Sequence, residues 1–195
     1  MKQVIKSLVL SAAVAVVLAP MQARADGFVA PWIGTAFGSN IDNGRGTFGV
    51  SAGGMGAGII GGEVDFGWNP SFFGTQNEFG NNSVLNLMGN VIVGVPIGGT
   101  HGVGVRPYLV GGVGLIRNQI EGNGTVFTPL QSTNMFGWDL GGGVMGYFND
   151  HVGLRGDFRY MRATQDINGA ATDPTNAFNG DQLHFSRLTI GVVFR

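Results

Sequence analysis

The chain has 195 residues, of which 36 are Gly, 14 are Phe and none is Cys, and only 12% are charged. This composition excludes a disordered chain, which is polar and highly charged, and a disulfide-stapled scaffold, which needs thiols. The formal net charge of −1 supplies no basic field for nucleic acid, and the length allows a single main domain.

Residues 1–25 read as a cleaved secretory leader. Lys2 and Lys6 make a basic start, Leu8 to Ala19 is an apolar run, and Ala23-Arg24-Ala25 has the small-x-small form of a signal-peptidase site. The apolar run is shorter than the roughly 20 residues of a membrane-spanning helix. Cleavage after Ala25 is expected to leave residues 26–195 as the mature domain. Both lysines go with the leader, so the mature chain carries 8 Arg against 12 Asp plus Glu, a net charge of 8 − 12 = −4. A water-facing surface normally holds about a quarter to a third charged residues of both signs. This chain has too few, so something other than water is expected to face much of its exterior.

After the leader the dominant pattern is alternation of period two, the signature of β-strands. Successive strand residues point to opposite faces, so each segment splits into two columns. The first strand, near Val29–Phe37, is expected to share Val29, Ile33 and Phe37 on its apolar face. The second shows Phe48, Val50 and Ala52 in one column. The third sets Ile60, Val64, Phe66 and Trp68 against Glu63 and Asp65. The fourth sets Leu85, Leu87, Val91 and Val93 against Asn86, Met88 and Asn90. The fifth sets Leu109, Val113 and Leu115 against Arg106 and Tyr108, with Pro107 expected near a strand end because it has no N–H to donate. The sixth sets Phe136, Trp138, Leu140 and Val144 against Asp139 and three glycines. The seventh sets Leu154, Phe158 and Tyr160 against Arg155, Asp157 and Arg159. The eighth sets Leu188, Ile190, Val192 and Phe194 against Arg187 and Thr189.

The eight strands are joined by connections that alternate in length. Short ones fall near Gly56–Ile59, Pro96–Gly104 and Phe148–His151, and long ones near Gly38–Gly46, Asn69–Ser83, Arg117–Thr133 and Ala163–Asp181. Short turns at one end and long loops at the other are the layout of an antiparallel up-and-down barrel that crosses the bacterial outer membrane. A soluble eight-stranded barrel would show the same alternation with the apolar column inside. The charged columns favour the membrane orientation, being sparse, rich in Gly and balanced in sign. Phe37, Trp68, Phe136, Trp138, Phe158 and Tyr160 also gather toward the long-loop end, as an aromatic girdle at a membrane–water boundary would.

At this point the sequence resembles a known family. The stretches GGEVDFGW at Gly61–Trp68, VRPYLVGGVGL at Val105–Leu115, GWDLGGGV at Gly137–Val144, VGLRGDFRYMR at Val152–Arg162 and LTIGVVFR at Leu188–Arg195 look like those of the outer-membrane protein beta-barrel domain family. These are the OmpA- and OmpX-like eight-stranded barrels of Gram-negative bacteria. The resemblance implies an integral outer-membrane protein in contact with membrane lipid and lipopolysaccharide. It also implies insertion by the barrel-assembly machinery, which reads an aromatic residue at the end of the last strand. Phe194 is expected to serve as that signal, although Arg195 follows it. The peptidoglycan-binding domain of longer relatives is not expected after strand eight.

Eight strands enclose a space that side chains fill. The inward charges Glu63, Asp65, Arg106, Asp139, Arg155, Asp157, Arg159 and Arg187 are therefore expected to pair in a lumen cluster. Asp139, Arg159 and Arg187 should lie at similar heights, with Arg155 and Asp157 below them. Such a cluster plugs the barrel; a polar pore is the alternative.

Other motifs carry less weight. Two matches to G-x-G-x-x-G, at Gly56–Gly61 and Gly141–Gly146, lack the strand-to-helix context that phosphate binding needs. His101, His151 and His184 have no metal-ligand spacing, and no metal or cofactor is expected. His184 and Ser186 share a strand face, as in eight-stranded lipid A deacylases, but no Asp or Glu follows Ser186 to orient the histidine. The expected role is structural or adhesion-type, carried by polar loops that meet a host or surface ligand. A small porin-like channel and, less favoured, a lipid A-modifying enzyme are the alternatives.

Overall fold

The computed structural model describes residues 25–38, 41–70, 82–99, 101–120, 131–164 and 183–195. Residues 1–24, and with them nearly all of the expected leader, lie outside the described residues. Eight strands follow in order: β1 (Ala25–Gly38), β2 (Ile41–Gly56), β3 (Ile60–Pro70), β4 (Asn82–Gly94), β5 (Gly104–Ile120), β6 (Gln131–Tyr147), β7 (Val152–Ala163) and β8 (His184–Phe194). Each pairs antiparallel with the next, and β8 returns to β1, so the sheet is a closed barrel.

Alternation decides which face is which. Along β7, Gly153, Arg155, Asp157, Arg159 and Met161 are buried while Leu154, Gly156 and Phe158 are exposed. The apolar columns face outward: Ile33 is 66% exposed, Leu109 70%, Leu140 61% and Ile190 58%, whereas Asp65 and Arg159 are 0% exposed. Val29, Ile33 and Phe37 lie together on the outer face of β1. The barrel is thus inside-out relative to a water-soluble one, as a sheet crossing hydrocarbon must be.

The short connections occupy residues 57–59, 95–103 and 148–151. The first is a tight hairpin with positive φ at Ala57 (49°) and Gly58 (69°), the geometry whose twist matches the flanking strands. The last is held by Asn149, whose Oδ1 accepts from the backbone N–H of His151 (2.8 Å) and Val152 (2.9 Å). At the other rim the strands reach further than their apolar columns. Gly38 pairs with Ile41, so most of the loop expected at Gly38–Gly46 is strand. Likewise β5 and β6 stay paired out to Ile120 and Gln131, shortening the loop expected at Arg117–Thr133. Ladder bonds are made by the backbone and do not need apolar side chains, so a polar segment can extend a strand past the greasy zone. Pro107 is the fourth residue of β5, beside the short-turn rim, and its carbonyl accepts from the Val95 N–H.

Register sets the width of the interior. Pairing followed from Val29 through Ala52, Val64, Gly89, Val113, Trp138 and Arg162 reaches His184. His184 aligns two positions beyond Phe37, the partner of Ser186, so one circuit climbs 39 − 29 = 10 residues toward the loop rim. Such a stagger tilts the strands and leaves room for side chains but little else.

Glycine makes that room usable. Trp32 faces Gly49 across β1–β2, and a Cβ at Gly49 would strike the indole and the Phe66 carbonyl. In the Gly141–Gly143 run, Gly141 underlies Arg159 and Gly143 underlies the Tyr108 phenol. The glycine-rich motif therefore admits large inward side chains from neighbouring strands. Gly141→Ala is expected to destabilise the barrel by about 1–3 kcal/mol through overpacking. Gly156→Ala, where an added Cβ meets nothing within 4 Å, is expected to be near neutral. Urea midpoints of the two refolded variants test this, and equal midpoints would refute the packing role.

Candidate functional site

The inward charges meet at mid-barrel. Arg159, from β7, is the hub: its guanidinium donates to Glu63 (2.6 Å), to Asp157 (2.6 Å) and to Asp139 (3.4 Å), and stands 4.0 Å from Asp65. Arg155, four residues away on the same face, pairs with Glu63 (2.6 Å) and Asp157 (3.2 Å). Arg187, from β8, reaches across the lumen to Asp65 on β3 (2.7 Å) and lies over the Trp32 ring at 4.1 Å. Neutral groups take up several of the remaining valences, while Nε and Nη1 of Arg187 are buried without a hydrogen-bond partner. Tyr108 donates to Asp157 (2.5 Å) and accepts from Arg155 (2.7 Å), while Ser51 donates to Asp65 (2.8 Å). With its amide turned to match its neighbours, Asn90 donates to Asp139 (2.8 Å) and accepts from Arg159 (2.7 Å).

Two buried apolar clusters flank this network, one on each side along the barrel. Toward the loop rim lie Ala36, Val84, Ile116, Met135, Met161, Ala163, Leu183 and Phe185, all 0% exposed. Toward the short-turn rim lies a second cluster that includes Phe28, Met55, Ile92, Met145, Tyr147 and Val193.

Of the eight charges expected together, seven meet in this network and Arg106 does not. It is buried, but it pairs with Asp26 (3.2 Å) and leans on the Tyr147 ring at 5.5 Å. Arg106 is only the third residue of β5, so it sits below the ionic layer, beside the turns. Arg195 joins it there, 4.3 Å over the same ring and 3.6 Å from Asp26. Arg187, expected level with Asp139, makes its ion pair with Asp65 instead. β3 stands three strands from β8 around the closed ring, which brings that carboxylate within reach across the lumen.

The outer face carries the aromatic residues. Phe37 lies 6.3 Å from Phe158, Trp138 lies 5.7 Å from Tyr160, and Phe48, not anticipated, lies 5.4 Å from Trp68. Phe136 is exposed on the same face of β6, and Phe194 on that of β8. His184 and Ser186 share the outer face, where His184 contacts the Tyr160 ring at 6.2 Å. No carboxylate lies on that outer face among the described side chains. Nor do the described residues contain a group of three or more side chains arranged to hold a metal ion. The inward Trp32, Tyr108 and Met residues were missed as site members. Their alternation with outward neighbours was the available signal.

Removing one partner of a buried ion pair strands the other, at about 3–5 kcal/mol. Arg187→Met alone is expected to cost this much, and the double variant Arg187→Met/Asp65→Asn much less than the sum of the singles. A double-mutant cycle by urea unfolding measures the coupling, and strict additivity would sink the pairing.

No curated protein matches the chain. Among solved structures, Neisserial surface protein A (NspA) superposes with a TM-score of 0.62 at 16% identity, covering 86% of this chain and 95% of that one. The N-terminal beta-barrel domain of Pseudomonas aeruginosa OprF superposes at 0.51 with 14% identity, covering 88% and 98%. Ail, the attachment invasion locus protein of Yersinia pestis, superposes at 0.53 with 11% identity, covering 88% and 99%. These likenesses show a shared fold. The model of the outer membrane protein beta-barrel domain family matches residues 9–195, and the chain therefore belongs to that family of bacterial outer-membrane proteins.

Proposed function

We propose that this barrel is a closed, non-catalytic outer-membrane scaffold that presents polar loops for surface interaction. The observation that carries the reading is the ionic layer lying between two buried apolar clusters. An ion crossing the lumen would have to displace buried salt bridges and then pass Met135, Met161 and Phe185 at one side or Met55, Ile92 and Met145 at the other. Each barrier is a desolvation cost. The porin-like alternative has no comparable support.

In this reading residues 1–25 are removed on export, Phe194 presents the insertion signal to the assembly machinery, and the short turns face the periplasm. The segments 71–81, 121–130 and 165–182 connect strands at the opposite rim and lie outside the described residues. Their composition, as in NQIEGNGTVFTPLQSTN and INGAATDPTNAFNGDQ, suits adaptable hydrogen bonding to a ligand. The name of Ail and its structure with the heparin analogue sucrose octasulfate support an attachment role by analogy of fold alone. The outward aromatics support contact with lipid at the leaflet boundary. A lipid A-modifying activity lacks support, since His184 and Ser186 have no described carboxylate on their face.

Two measurements check the proposal. In planar bilayers the purified barrel is expected to show no large, stable conductance; a persistent open state would overturn the plugged lumen. Cells carrying deletions within 165–182 are expected to lose attachment to host surfaces while the barrel keeps its heat-dependent shift in SDS mobility. Unchanged attachment would count against the loops as the binding element.

A further inference from the structure

The seam that closes the barrel is its most sparsely paired. Register between β1 and β8 runs from Phe37↔Ser186 down to Trp32↔Gly191, skips two positions and resumes only at Val29↔Phe194. Pro31, which has no N–H to donate, lies in the skipped stretch. Every other seam of the described strands carries more paired residues. Below Val29, β1 continues along β2 from Phe28 back to Ala25, and among the described residues β8 pairs with none of these four.

Side chains bridge the stretch where the ladder stops. Asp26 continues the inward column of Phe28, Ala30 and Trp32, and Arg195 continues that of Arg187, Thr189 and Val193. One carboxylate oxygen of Asp26 lies 3.6 Å from Arg195 and 3.2 Å from Arg106 of β5. Both guanidinium groups lie against the Tyr147 ring, at 4.3 Å for Arg195 and 5.5 Å for Arg106. Arg195 is also tied to the turn after β6: its N–H donates to the His151 carbonyl (2.9 Å) and its Nε to the Asp150 carbonyl (3.1 Å). The Asp150 carboxylate in turn accepts from the Gly102 N–H (2.6 Å). The side chain of Arg195 is 7% exposed and that of Asp26 is 18% exposed, so water and salt screen the pair less than an open surface pair.

We infer that Asp26 and Arg195, with Arg106 and Tyr147, form a latch that holds the β1–β8 seam shut at its short-turn end. The ladder alone offers that end the single pair Val29↔Phe194. Parting there would free N–H and C=O groups beside the membrane, where partners are scarce. The latch adds charge-assisted contacts at the place where backbone bonds run out. It also gives Arg195 a role that does not compete with Phe194: Arg195 turns inward, while Phe194 keeps to the outer face. Both ends of the sheet must be in place before these groups can meet. The latch therefore forms late and acts on escape from the folded state more than on approach to it.

The test uses the full barrel refolded in detergent micelles, with amide deuterium exchange and urea-jump kinetics as readouts. Arg195→Gln is expected to speed exchange of the seam-facing amides within residues 28–34 and 188–194 about fivefold to tenfold. Amides near Val91 of β4 and Val113 of β5 should keep the parent's rates. Unfolding should quicken by a similar factor, with refolding unchanged within about twofold. Arg195→Gln/Asp26→Asn should add little to the larger of the two single effects. Arg195→Lys, which keeps the cation, should retain most of the seam's protection. Unchanged exchange at the seam, an equal rise around the whole ring, full additivity of the two substitutions, or a Lys variant as open as the Gln variant would each overturn the latch. Heat-dependent SDS mobility shows separately that each variant has formed a barrel.

Discussion

A backbone amide inside hydrocarbon has no water to turn to, and every N–H and C=O must find a partner within the protein. The pairing of β8 with β1 meets that demand for all eight strands at once. Once the ring is closed, the direction of each side chain follows from strand alternation. The outward columns are dominated by valine, leucine, isoleucine and phenylalanine, and the charges at mid-barrel go inside.

Sending charge inward raises a second demand. The interior is too narrow for bulk water, so each guanidinium needs carboxylates and each carboxylate needs donors. Arg159 shows how this is met: it draws on β3, β6 and its own strand, joining distant parts of the ring through one group. Glycines opposite Trp32, Arg159 and Tyr108 supply the space. Packing and charge pairing are therefore one arrangement, and they support the plugged lumen proposed above.

Much of this was legible in the sequence because alternation is local. The outward placement of Leu109, Leu140 and Ile190 and the inward placement of Arg155, Asp157 and Arg159 need only a period of two. Contacts across the lumen were not legible. Arg187 and Asp65 are 122 positions apart, and their meeting depends on barrel radius and stagger, which no single segment encodes. Arg106 misled because its column matched the others while its height did not. The extent of β2, β5 and β6 toward the loops was missed because backbone pairing continues where the apolar signal stops. The apolar layers above and below the charges escaped notice because Met135, Met161 and Phe185 sit among residues read for their outward neighbours.

Ring closure also governs how the molecule comes apart. An open sheet frays from its outermost strand, but here every described strand has two neighbours. Among the described residues no edge strand is left to peel away first, so opening them requires breaking a whole interstrand seam together with the ion pairs that cross beneath it. Protection of the mid-strand amides against deuterium exchange should consequently be shared around the circumference, and persistence of the folded form is a matter of a high unfolding barrier.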